Sequence, residues 1–123
     1  MTFTGWVDHI FEPTQYDMEF SVRNYEDETA REAMIRDKNY PQTLKFTASV
    51  KSGAAKQLEG VGVGDRIVVR FFLYGSSGVS KSSGNYYCIN KLNISKKDGI
   101  TVLERHGNGS TPENEPVIDY VPF

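Results

Sequence analysis

With 123 residues, 38% hydrophobic and 24% charged, the chain is not a disordered polymer and is long enough to form one domain whose core needs no metal or disulfide. Its most apolar run, residues 67–74, is broken by Arg70 and too short to span a bilayer, its start lacks a signal-peptide pattern, and Cys88 is its single cysteine; a cytoplasmic protein is expected, with no membrane partner, internal disulfide or cysteine-zinc cluster. The net charge of −2 hides three blocks: residues 1–37 hold three basic and nine acidic side chains, 38–105 hold eleven and four, and 106–123 hold no lysine or arginine beside Glu113, Glu115 and Asp119, a basic body before an acidic tail that suits a polyanionic partner.

Residues 3–11 alternate Phe3, Val7 and Phe11 against Thr4, Trp6 and Asp8, with His9 and Ile10 blurring the period of two; this is a first strand. The turn Glu12-Pro13-Thr14 leads to a second strand, in which Tyr16, Met18, Phe20 and Val22 alternate with Asp17, Glu19, Ser21 and Arg23. Residues 26–38 (EDETAREAMIRDK) are acidic at the start and rich in helix formers, so they form a short helix or a charged excursion that Tyr40-Pro41 closes. Leu44, Phe46, Ala48 and Val50 define a third strand, and residues 52–59 a small helix stopped by Gly60, Gly62 and Gly64.

The strongest strand signal covers residues 66–74, with Ile67, Val69, Phe71 and Leu73 facing inward and Val68, Arg70, Phe72 and Tyr74 outward. Residues 75–85 (GSSGVSKSSGN) have the composition of a flexible loop. A fifth strand over 86–95 turns Cys88, Leu92 and Ile94 inward, and 100–105 adds a short extra strand. From His106 onward Gly, Asn, Pro and Glu dominate, the composition of a disordered tail, which divides the chain into a folded domain 1–105 and an acidic tail 106–123. Five strands with a small helix between the third and fourth give an all-β chain with the element order of an OB-fold, a partly open five-stranded barrel.

Residues 42–97, running from QTLKFTASV through SGAAKQLE, GVGVGD and RIVVRFFLYG to NYYCINKLNI, resemble the bacterial and phage single-stranded DNA-binding proteins. The ending ENEPVIDYVPF resembles the acidic tip of that family, here Asp119, Val121, Pro122 and Phe123, with Tyr120 interrupting it. Trp6 is the single tryptophan and the 26–38 insert is atypical, so the resemblance implies a divergent, phage-encoded or bacterial member. It implies sequence-independent coating of single-stranded DNA in replication, recombination or repair, with replication or repair proteins recruited through the tail residues Asp119, Tyr120, Val121, Pro122 and Phe123.

Single-strand binders need flat apolar faces for bases and cations for phosphates. Arg70, Phe72 and Tyr74 lie two apart on one strand face; Tyr87 shares a face with Lys91, Tyr25 with Arg23, and Tyr40 lies beside Lys38. Lys45 points outward from the third strand, Lys81 sits in the glycine-serine loop, and Trp6 is either a stacking platform or an oligomer contact. A first strand at the sheet edge with Trp6 exposed invites pairing, hence a homodimer or larger assembly. Two histidines, no phosphate-cradling loop and strand-alternating carboxylates argue for a non-enzymatic chain without cofactor or metal. A protein-interaction OB module and an RNA-binding barrel are the alternatives left open.

Overall fold

The computed structural model describes residues 1–106; the tail and its five candidate residues lie outside the described residues. The elements are β1 Thr2–Ile10, β2 Asp17–Arg23, α1 Glu28–Arg36, β3 Thr43–Ser49, a 3-10 helix Ala54–Leu58, β4 Arg66–Val79, β5 Tyr86–Ile94 and β6 Ile100–Glu104. Antiparallel pairing joins β1 to β2, β2 to β3 and β4 to β5, a parallel contact joins β3 to β5, and β1 closes the ring against β4. That five-stranded ring, with the short helix between β3 and β4, is an OB-fold. β6 continues along the β5 side of β4.

The core follows from alternation. Val7, Phe20, Val22, Phe46, Ile67 and Val69 are fully buried, and Phe46 lies at the centre with Phe20 and Phe71 rings at 5.6 and 5.0 Å. The 3-10 helix buries Ala54, Ala55 and Leu58 against this interior. Gln57 then bonds the turn between β5 and β6 with both ends of its amide: Nε2 donates to Ser95 and Lys96 carbonyls, and Oε1 accepts from the Gly99 and Ile100 amides. α1 starts at an Asp27 cap whose carboxylate accepts the Ala30 amide at 2.8 Å, and it ends with Lys38 in the left-handed region. None of its residues is buried, so the ring does not depend on it. No helix among the described residues is long and apolar enough to cross a membrane.

Several expectations need correction. A register shift between Val7 and His9 advances the phase of β1, which brings Ile10 to the core and leaves Phe11 exposed. Tyr16 precedes β2 and Val50 follows β3, and both are exposed. Residues 75–79 are strand rather than loop, because β4 stays hydrogen-bonded to β5 as far as Val79 opposite Tyr86. This hairpin runs beyond the ring, so Leu73 and Cys88, expected inward, find no interior and are exposed. β1 is paired on both sides, by β2 and by β4, so the edge-strand argument for oligomerisation fails.

Candidate nucleic-acid interface

Cross-strand register decides which side chains share a face, because directly opposed residues in an antiparallel pair point the same way. Phe72 opposes Asn93, Tyr74 opposes Lys91, Ser76 opposes Ile89 and Gly78 opposes Tyr87. The outer face of the β4–β5 hairpin therefore carries Phe72, Tyr74, Tyr87 and Ile89 in one patch, all substantially exposed. Gly78 makes room for it: a Cβ there would meet the Tyr87 hydroxyl at 2.8 Å. Arg70, one step further down β4 on the same face, is exposed.

Where the hairpin leaves the ring, the patch runs into a groove of about 470 Å³ lined by Glu19, Lys45 and Thr47 on one side and by the β5 edge Ile89, Asn90, Lys91 and Leu92 on the other. The contact of Thr47 with Asn93 sets β3 beside β5 and so closes this groove on one side. Both lysines are held by carboxylates of β2, Lys91 Nζ at 3.3 Å from Asp17 and Lys45 Nζ at 3.8 Å from Glu19. Lys45 also lies 5.8 Å above the centre of the exposed Phe11 ring. Chemically this is a row of flat apolar groups bordered by cations, the combination that accepts unpaired bases on rings and phosphates on ammonium groups.

Six of the twelve candidate residues thus share one surface: Lys45, Arg70, Phe72, Tyr74, Tyr87 and Lys91. Trp6 on β1, Arg23 at the end of β2 and Tyr25 in the bend after it form a second group. The Arg66 guanidinium lies 5.4 Å from the Trp6 ring centre and that of Arg23 lies 5.7 Å from the Tyr25 ring. Arg23 is occupied by its own fold, donating to the Asp8 carboxylate and to the Tyr25 and Glu26 carbonyls at 3.0, 3.0 and 2.8 Å. A hollow of about 250 Å³ beside it is lined by Trp6, Glu26, Asp27 and His106. Lys38 and Tyr40 are exposed between α1 and β3, and Lys81 is exposed in the turn at the hairpin tip.

Sequence reasoning missed Ile89, Phe11 and the two groove carboxylates. Ile89 stands two residues from both Tyr87 and Lys91, so alternation along β5 was signal enough. Phe11 was hidden by the register shift in β1, which no periodicity count reveals. Asp17 and Glu19 read as solvated positions of β2, because only the fold brings Lys91 to Asp17 across 74 residues of chain.

No protein-family model matches the chain, and no curated protein matches it. Among solved structures it is similar to a small single-stranded DNA-binding protein from Streptomyces coelicolor, with 19% identity over 89% of this chain and 95% of that chain, at a TM-score of 0.37. The fold assignment accordingly rests on strand order and register, and the functional one on the side chains just described.

Proposed function

We propose that the protein binds single-stranded DNA without sequence preference, along the outer face of the β4–β5 hairpin and the groove at its base. The observation that carries this reading is the shared exposure of Phe72, Tyr74, Tyr87 and Ile89 beside Arg70, Lys91 and Lys45. Rings set two residues apart offer platforms to successive bases, each stacked base contributing about 1–3 kcal/mol whatever its identity. Duplex hides its base faces, so it can use only the cations.

The role that follows is protection of exposed strands in replication, recombination or repair. The tail is assigned to partner recruitment on its residues, carboxylates followed by Val121, Pro122 and Phe123, which suit an apolar pocket rimmed by basic groups. Removing Pro122 and Phe123 should leave DNA binding unchanged.

Fluorescence anisotropy of labelled oligo-dT, with duplex of equal length as control and repeated over a salt series, tests the reading. Preference for dT and a negative salt slope are expected. Replacing Arg70 and Tyr74 together with alanine should weaken binding more than tenfold while the circular dichroism spectrum stays unchanged, since both side chains are exposed. Equal affinity of that variant and the wild type would remove this face from the reading.

A further inference from the structure

β1 leaves β4 at Phe71, whose amide bonds the Met1 carbonyl, and β3 touches β5 at Thr47 and Asn93. Beyond those points residues 73–79 and 86–91 form a two-stranded arm with no third strand among the described residues. The outer face of this arm does not end at Arg70. Val68 and Arg66 follow on β4 at the same two-residue interval, while Ile67, Val69 and Phe71 between them are buried. Pairing with β1 widens the face: Thr2 opposes Arg70, Thr4 opposes Val68 and Trp6 opposes Arg66, so these side chains stand on the same side. On the other flank Thr101 of β6 opposes Val68. The floor between the two arginines is therefore one valine and three threonines, without a carboxylate.

Arg66 ends this floor with its charge unanswered. Its Nε is buried without a hydrogen-bond partner, although buried donors are almost always paired. Arg23, Lys45, Lys91 and Arg105 each have a carboxylate beside them; among the described residues, Arg66 and Arg70 are the two strand arginines that have none. Glu104, opposite Arg66 on β6, lies beyond a register shift and forms no ion pair with it. The Arg66 guanidinium instead lies over the Trp6 ring, 5.4 Å from its centre.

We propose that the bound strand runs on past Arg70 along this face and that Arg66 and Trp6 form its far end, Arg66 taking a phosphate and Trp6 a base. The inference rests on the single-stranded DNA reading and extends its site. Two phosphate oxygens match the guanidinium fork and supply the acceptors that the fold does not. The hollow of about 250 Å³ beside Trp6 gives a base room against the indole, while Glu26 and Asp27 on its wall repel phosphates from it. Because β4 twists, the face winds as it descends. A single strand follows such a path, whereas duplex, with a persistence length of about 50 nm, resists it. At ~3.3 Å per residue the face measures roughly 20 Å from Gly78 to Phe72 and roughly 40 Å from Gly78 to Arg66, so the extension doubles the site.

Two readouts on the full chain test this. Trp6 is the single tryptophan, so its fluorescence reports the far end, while the anisotropy of labelled oligo-dT reports binding as a whole. With an oligo-dT long enough to span the whole face, Trp6 emission should fall in step with the rise in anisotropy. An oligo-dT that covers only the arm and its groove should show their salt slope alone, and the long one a slope steeper by about 0.7, one further phosphate. Arg66→Gln should weaken binding of the long oligomer several-fold and abolish that difference in slope, and Arg66→Lys, which keeps the charge, should restore it. Loss of affinity in Arg66→Gln with the slope difference intact would mark Arg66 as structural and overturn the inference, as would unchanged affinity. Constant Trp6 emission while the anisotropy saturates would also overturn it and leave the DNA reading standing. Absence of any anisotropy change would sink both.

Discussion

Single side chains decide how the ring is held, and Asp65 is the clearest case. Its carboxylate is buried and accepts the Gly62 amide and the His106 amide, each at 2.9 Å, with the Arg105 guanidinium at 3.5 Å. One residue thus ties the glycine turn before β4 to the chain leaving β6, and Arg105 adds a bond to the Gly60 carbonyl. Gly64, at a φ of +94°, completes the corner, since a Cβ there would strike the His106 ring. The sequence showed Asp65 only as part of a glycine turn; its distant partners, Arg105 and His106, lie 40 and 41 residues away and no local pattern announces them. Asp65→Ala removes the acceptor and leaves two amides without it, so we expect a loss of about 3 kcal/mol. Urea unfolding checks this: the midpoint should fall with the slope unchanged, and an unaltered midpoint would mean that water replaces the carboxylate without cost.

At the scale of elements, the strands of the ring were legible because burial on one face imposes a period of two, as in Phe20 and Val22 or Ile67 and Val69. The 3-10 helix was legible from its small apolar residues and the glycines after it. The arm was not. Residues 75–79 (GSSGV) have poor strand propensity, and they are strand because residues 86–90 of β5 pair with them. Propensity read along one strand cannot include a favourable partner across the ladder. A strand imposed in this way should open more easily than one anchored on both sides and buried. In hydrogen exchange, peptides over 75–79 should lose protection at least tenfold faster than peptides over 67–71. Equal rates would show that the arm belongs to the same cooperative unit as the ring.

For the whole molecule, the charge blocks of the sequence do not survive as halves of the structure. The ring inserts acidic β2 between β1 and basic β3, and the base of β5 beside β3, so Asp17 meets Lys91 and Glu19 meets Lys45. Block arithmetic promised eleven cations for a polyanion; the outer face of the arm and its groove hold Arg70, Lys45 and Lys91, with Lys81 at the tip. Four neutralised phosphates give a slope of log affinity against log salt near −3 for a single strand, where eleven would give about −8. The groove carboxylates lower the magnitude further. A phosphate reaching Lys45 or Lys91 displaces Glu19 or Asp17, and each freed carboxylate recruits a cation that partly cancels the counterion the DNA releases. Wild type should therefore show a slope between about −1.5 and −3. Replacing Asp17 with Asn and Glu19 with Gln should tighten oligo-dT binding several-fold at low salt and steepen the slope by up to about 1.4, two phosphates at ~0.7 each. Weaker binding by that double variant would reverse the assignment: the carboxylates would then serve to hold the lysines in place for the strand, and the groove would be preorganised rather than self-occupied.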